Sequence, residues 1–496
     1  MAHYQNLIRV ATNYVRLLLS VVTGLLVARV LLTQGGVSAF SFYAFVTVGL
    51  GFGVMLRETI RIAVLPDLGV ILDNDGDLSP FFSNLLFVCI ILGAFIGIGV
   101  FSLGSHVGDI YKSVIDIGGF HFLMARSVMS FITTLFVPYY CLLLAQQQFV
   151  VSNIFVLIER FADLAAVVVL VLTFEELGNI PRLSAFGLSS LISLVIFCSI
   201  FFIFVRKIGK GSSEIMNVSL RLLEYSRIKK ILYAFRYPLL AVLALNLFVR
   251  FDVSFSAEYF GAMVVAAFGL AIQISGLLRQ LCNGVANGLD AVFSRSNVEW
   301  SKNRSNKIID HNIRLQCFVV GHLTVFLVFY SKWIFTIWLG DSVSEEMLHL
   351  ASYITIFITI GLGSRGVSEC WIAFLNGRGF SKNYVWGLLL AAVLNILVLV
   401  VFGGVGKESH LLNVMLVFFV ICHVISYLVY VPLKYCTLVG LSYRHLVRSL
   451  AANLIFPGLS FVACAFAIYF EFTIIVPVVL ILSVGVDTLL LYRTKK

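Results

Sequence analysis

Apolar stretches long enough to cross a lipid bilayer recur from one end of this 496-residue sequence to the other. A helix needs about 20 apolar residues to span the hydrocarbon. Fourteen stretches qualify: 11–33, 37–56, 81–105, 117–145, 149–174, 184–205, 231–254, 260–292, 315–338, 349–377, 383–402, 411–432, 448–470 and 473–492. The last two are separated only by a short turn around Glu471. Hydrocarbon offers no partner to a backbone N–H or C=O, so each stretch is expected to be a helix. The predicted fold class is an all-α polytopic membrane protein. The composition agrees: 60% of the residues are hydrophobic and 12% are charged, where soluble domains average roughly 25% charged. A soluble enzyme, a disordered regulator and a DNA-binding domain are excluded on that ground.

Charge placement tests the span count. With the N terminus in the cytoplasm and the spans alternating, 23 of the 35 Lys and Arg residues fall on the cytoplasmic side. Only four, Lys112, Arg182, Lys332 and Lys407, fall opposite. Such an asymmetry over short loops is the positive-inside signal, and it puts both termini in the cytoplasm. The net charge of +10 therefore orients the chain and does not call for a nucleic-acid partner. No cleavable signal is evident, because the first apolar run is too long for a signal core.

The longest loop, 206–230, is too short to fold alone. Its segment IMNVSLRLLEYSRIKKI reads as an amphipathic helix on the anionic inner leaflet or as a solvated basic linker. The nine cysteines are scattered singly with no C-x-x-C, so no metal or redox motif is expected and they read as core thiols. No Walker A pattern is present, which leaves an ion gradient or the membrane potential as the energy source, with no cofactor. The nine histidines show neither H-x-x-x-x-D nor H-x-x-x-H, which weighs against a membrane-embedded enzyme.

The central basic loop splits the chain into six spans, six spans and two more. Gly36-VSAFSFYAFVTVGLG aligns with Gly261-AMVVAAFGLAIQISG at an offset of 225, and Phe149 with Phe380 at 231. Internal repeats of this kind build many transporters. The expected organisation is an N-terminal six-helix lobe over 1–205, the linker 206–230, a pseudo-symmetric six-helix lobe over 231–432, and two extra helices in 433–496.

TNYVRLLLSVVTGLLVARVLL near the N terminus, RYPLLAVLALNLFVRFDVSFSAEYFGAMVVAAFGLAIQISGLL at 236–278 and LNGRGFSKNYVWGLLLAAVLNILVLVVFGGVG at 375–406 resemble bacterial polysaccharide exporters. The similarity covers most of residues 8–432. It points to the multidrug/oligosaccharidyl-lipid/polysaccharide (MOP) exporter superfamily and, within it, to Wzx-type flippases. The resemblance implies two lobes facing each other across a cavity that opens alternately to either leaflet. It implies transport of undecaprenyl-pyrophosphate-linked oligosaccharide (an O-antigen or other surface polysaccharide repeat unit) across the bacterial inner membrane, alongside a polysaccharide polymerase and glycosyltransferases. A lipid II flippase and a cation-coupled multidrug antiporter of the same superfamily are the alternatives.

A pyrophosphate and its sugars cannot cross hydrocarbon uncompensated, so such a carrier needs a hydrated, cationic cavity. Arginine suits it, because it stays protonated and forks onto phosphate oxygens. All eight basic residues within the spans are arginines: Arg16, Arg29, Arg126, Arg160, Arg236, Arg250, Arg279 and Arg365. Arg29, Arg236 and Arg250 sit near span ends and can snorkel. Arg365 and Glu369 share a helix face and can pair. Asp163 lies about 21 Å from the cytoplasmic end of its span and Arg126 about 14 Å from the periplasmic end of its own, depths that allow a bridge. Arg279, Asn283, Asn287 and Asp290 line one helical face. The resemblance matches Arg16, Arg57 and Arg279 to cavity-facing arginines of spans one, two and eight. The candidate pyrophosphate and cavity residues are thus Arg16, Arg57, Arg61, Arg279, Asn283, Asn287, Arg126 and Arg365. The candidate ion-coupling acids are Glu159, Asp163, Asp252, Asp290 and Glu369. The arginines outnumber the acids in the spans, which disfavours a cavity for cationic drugs.

Overall fold

The computed structural model describes residues 2–74, 77–110, 118–146, 148–173, 182–208, 218–286, 289–294, 302–403, 408–469 and 475–493. Among them the chain is helical, with no strand. The helices are α1 (Ala2–Val30), α2 (Gly36–Ala44), α3 (Phe52–Asp73), α4 (Ser79–Ile110), α5 (Gly119–Leu135), α6 (Val137–Ala145), α7 (Phe149–Leu172), α8 (Arg182–Ile208) and α9 (Tyr225–Tyr259). They continue as α10 (Ala262–Ala286), α11 (Leu289–Ser294), α12 (Lys302–Leu339), α13 (Glu345–Gly377), α14 (Lys382–Gly403), α15 (Glu408–Val424), α16 (Val431–Val439), α17 (Tyr443–Tyr469) and α18 (Ile475–Arg493).

The described residues of each of the fourteen apolar stretches fall mainly on helix. By length and composition, nine helical runs among the described residues suffice to cross a membrane, and Ala262–Leu278 and Val476–Thr488 are shorter apolar helices. Helix α7 falls outside those runs because Glu159, Arg160 and Asp163 interrupt its apolar sequence. Stretch 37–56 is not one regular helix. It runs through α2 and a π-helical turn at Phe45–Gly49, then breaks before α3.

The two aligned glycines share a special backbone. Gly36 has φ +78° and Gly261 has φ +80°, a region nearly closed to residues with a Cβ. Each stands at the start of the helix that opens the aligned segment.

Of the two readings of the linker, the described part before Tyr225 is not a continuous helix. Leu220–Leu222 is a single 3-10 turn, and Leu223 and Glu224 are extended. Helix begins only at Tyr225. The reason is a competing partner. The buried Asn84 side chain on α4 donates to Leu222 O at 3.0 Å and accepts from Glu224 N at 2.9 Å. Those backbone groups are thereby satisfied without an i to i−4 ladder. The part of the segment before Val218 lies outside the described residues.

The chain divides into two compact units. The first comprises Met1–Gly269, Ala291–Arg295 and Asn376–Ala392. In it α7 packs on α1 and α8, α5 on α4 and α8, and α9 on α3 and α4. Its core runs from Leu56 and Ile60 through Phe82, Tyr140 and Phe155 to Phe235. The second comprises Leu270–Asp290, Ser296–Leu375 and Val393–Lys496. There α12, α17 and α18 pack together around Val325, Cys464, Ala467, Val476 and Leu480. The outward faces of many helices carry large apolar side chains, such as Ile192, Ile200, Ile481 and Leu482, as expected where lipid is the solvent.

Candidate functional site

An arginine cluster forms inside the first unit. Helix α3 carries Arg57, Glu58 and Arg61 within one turn. Arg61 Nε donates to Glu58 Oε2 at 2.9 Å. Arg57 reaches across to α7, where its Nη1 lies 3.5 Å from Glu159 Oε1. Arg16 enters from α1. It is buried, and it lies in electrostatic reach of Tyr140, Glu58, Arg57 and Arg61.

A polar rung fixes α1 against α7 beside this cluster. Asn153 Nδ2 donates to Asn13 Oδ1 at 3.0 Å and to Thr12 Oγ1 at 3.1 Å. At 1.5 Å per residue, Arg16 lies about 4.5 Å further along α1 than Asn13, and Glu159 about 9 Å further along α7 than Asn153. The site therefore holds three guanidinium groups and two carboxylates. Both carboxylates are engaged, by Arg57 and by Arg61. Among the described residues Arg16 makes no ion pair.

A second cluster in the same unit is closed. Arg126 forks onto Asp163, with Nη2 2.6 Å from Oδ1 and Nη1 3.4 Å from Oδ2. Ser190 Oγ donates to Asp163 Oδ1 at 3.1 Å. The guanidinium carbon lies 5.6, 5.2 and 5.6 Å from the ring centroids of Tyr43, Phe122 and Phe186. These are cation–π distances. Arg126 and Asp163 are thus each other's partners inside an aromatic cage.

The remaining sequence candidates disperse. Arg365 pairs with Glu369 at 2.9 Å along α13. Asp252 and Asp290 are buried, and both have partners. Arg279 and Asn283 belong to α10, but their side chains lie outside the description, as does Asn287 altogether. Of the expected polar stripe only Asp290, on α11, has a described side chain. Arg29 is exposed, as is Arg236, whose guanidinium stacks on Tyr233 and Tyr237 at 3.7 and 4.4 Å. Among the described residues no group of three or more His, Cys, Asp or Glu side chains is placed to hold a metal.

Several polar residues escaped the sequence reading. Tyr140, Asn13 and Asn153 shape the arginine cluster, and Ser190 completes the closed one. His322, Ser483 and Asp487 meet in the second unit. The available signal was the rule that an ionisable residue within a span deserves a functional reading; His322 and Asp487 each meet it.

The MatE family profile matches residues 238–401. No curated protein matches the sequence. Solved structures match over nearly the whole chain. An outward-facing multidrug resistance MATE family transporter of the MOP superfamily superimposes with a TM-score of 0.63 at 14% identity, covering 87% of this chain and 95% of its own. The lipid II flippase MurJ, in an inward closed conformation, gives 0.63 at 14% identity, covering 97% and 99%. The MATE multidrug transporter DinF-BH gives 0.67 at 12% identity, covering 88% and 97%. The chain has the MATE-like fold.

Proposed function

We propose that the protein is a membrane transporter that carries a polyprenyl-pyrophosphate-linked oligosaccharide from the cytoplasmic to the periplasmic leaflet of a bacterial inner membrane. The observation that carries this reading is Arg16. It is a buried guanidinium without an ion pair among the described residues, next to two arginines whose carboxylates are already engaged. An isolated charge in a low-dielectric setting is costly, so the site calls for an incoming anion. A pyrophosphate supplies two phosphate groups whose oxygens suit guanidinium forks. Arg57 is the second ligand, because its 3.5 Å contact with Glu159 is long for a charge-assisted hydrogen bond and opens at little cost. Arg61 lines the approach.

The coverage of the flippase match, 97% of this chain against 87% for the outward-facing MATE transporter, supports a lipid-linked substrate over a soluble drug. The surplus of arginine supports the same choice, since a cationic drug would be repelled. Lipid II and a surface-polysaccharide repeat unit share the pyrophosphate chemistry, so either glycan fits this site. On this reading glycosyltransferases supply the substrate, a polymerase consumes it, and the ion gradient or membrane potential drives the cycle with no cofactor.

The test is a chromosomal deletion complemented with wild-type, Arg16→Glu or Arg16→Lys protein, followed by chemical analysis of the lipid-linked precursor held in the cytoplasmic leaflet. Arg16→Glu should accumulate the precursor as the deletion does while inserting normally, and Arg16→Lys should restore part of the export. The glycan on the accumulated precursor identifies the pathway. Normal export by Arg16→Glu, or accumulation of no pyrophosphate-linked lipid in the deletion, would overturn the proposal.

A further inference from the structure

The second unit contains a buried polar contact that the arginine cluster does not involve. Helix α18 packs through a stripe of Val476, Leu480, Ser483 and Asp487, spaced four, three and four residues apart. Two apolar residues are followed by two polar ones, on a helix whose other faces are largely exposed apolar surface. The polar pair meets His322 of α12. The imidazole Nδ1 lies 2.9 Å from Phe318 O and 3.8 Å from Asp487 Oδ2, and Nε2 lies 3.0 Å from Ser483 Oγ. The Ser483 hydroxyl also lies 3.3 Å from Phe456 O on α17. The position of His322 is fixed from the side. A Cβ at neighbouring Gly321 would stand 2.5 Å from Pro457 Cγ, so α12 and α17 are in close contact here.

Hydrogen-bond accounting leaves this cluster with one undecided proton. Phe318 O accepts only, so Nδ1 carries a hydrogen. Ser483 has one hydroxyl hydrogen and two acceptors in reach, Nε2 and Phe456 O. If it donates to Phe456 O, Nε2 must itself donate, and the ring is an imidazolium facing Asp487. If it donates to Nε2, the ring is neutral, and Phe456 O loses that contact. Asp487 Oδ2 is sealed from solvent without a hydrogen-bond partner among the described residues. The His322 ring, 3.8 Å away, supplies a counter-charge when it is doubly protonated.

We infer that His322, Ser483 and Asp487 form an intramembrane proton-binding site that ties α17 and α18 to α12. Loading adds one proton at His322 Nε2 and turns the Ser483 hydroxyl from α12 toward α17. Unloading reverses the turn and leaves Asp487 without that counter-charge. Histidine is the side chain whose charge changes in the physiological range. The other titratable side chain in electrostatic reach of Asp487 is Cys317, on α12. On α17, Cys464 faces Tyr330 instead. The site stands apart from the proposed substrate and requires no assumption about it.

The experiment is nitrogen-15 NMR of the histidine rings in full-length protein in lipid nanodiscs, titrated from about pH 5 to about pH 9, with His322→Gln identifying the signal. His322 should show two protonated ring nitrogens at the acid end and a neutral ring with hydrogen on Nδ1 at the alkaline end. A His322 that stays neutral, or stays doubly protonated, across the range would overturn the inference. Should His322→Gln not fold, Ser483→Ala provides the second measurement. It removes the donor to neutral Nε2, so the alkaline-end Nε2 resonance should move, and an unmoved resonance would equally refute the site.

Discussion

Replacing Asp163 with alanine should destabilise the protein more than removing Asp163 and Arg126 together. In the native structure the Arg126 guanidinium is held by two contacts to Asp163, at 2.6 and 3.4 Å, inside three aromatic rings. Removing Asp163 leaves a buried cation whose remaining attractions are cation–π contacts, worth about 0.5–2 kcal/mol each. Leaving a buried charge without its partner costs about 3–5 kcal/mol. At roughly 1.5–2 °C per kcal/mol for a unit of about 290 residues, the melting temperature in detergent should fall by about 5–10 °C. Arg126→Met combined with Asp163→Leu fills the same space with apolar atoms and leaves no charge behind, so most of the loss should return. Ser190→Ala removes only the third contact to the carboxylate, 3.1 Å long, and should cost about 1 kcal/mol. Melting temperatures of the wild type, Arg126→Met alone, Asp163→Leu alone and the double variant close a thermodynamic cycle. If Asp163→Ala melts like the wild type, or if the two single losses simply add, the pair is not the closed structural clamp described here.

Two further outcomes follow from close contacts. A Cβ at Gly187 would stand 2.8 Å from the Phe122 Cα, against backbone that cannot swing aside. Gly187→Ala should therefore lower the melting temperature by the equivalent of about 1–3 kcal/mol, and unchanged melting would contradict the observed approach of α8 to α5. Asn84→Ala removes both hydrogen bonds from its side chain to the linker and leaves that from Ser219 N to Ser83 Oγ. Limited trypsin digestion should then cut at Arg221 or Arg227 several-fold faster, while the melting temperature falls far less than for Asp163→Ala; unchanged digestion would show that the linker is held by something else.

The helical architecture was legible because hydrocarbon leaves the backbone no alternative. The described part of each apolar stretch became mainly helix, and the interruptions at Gly36 and Gly261 fall where the two segments align. The Arg126–Asp163 bridge was legible from depth, since counting residues from opposite span ends put both groups at a similar level. Arg365 and Glu369 were legible from their spacing of four. What stayed hidden depended on partners distant in sequence. Nothing local told that Asn84 would take the backbone groups of Leu222 and Glu224 and prevent a helix there. Glu159 looked like a free titrating acid until α3 and α7 brought Arg57 to it. His322 and Asp487 are single ionisable residues in separate spans, and only the packing of α18 on α12 makes them a pair.

The two arginine clusters of the first unit show why residue type alone does not locate a transport site. Arg16 is a buried arginine within a span, and Arg126 is a partly buried one. Arg126 has a two-point carboxylate, a serine that fixes that carboxylate, and aromatic faces around it. Asp163 takes both terminal nitrogens of the fork and leaves only Nε without a hydrogen-bond partner among the described residues, so an anion arriving there would have to displace Asp163. Arg16 shares its surroundings with two arginines whose carboxylates already have partners. An anion arriving there gains a guanidinium without displacing anything, and weakens the long Arg57–Glu159 contact in its own favour. A cation arriving there meets repulsion from three arginines and can reach a carboxylate only by breaking an existing pair. The sign of the charge left over after internal pairing is therefore what the proposed function rests on, and it favours an anion.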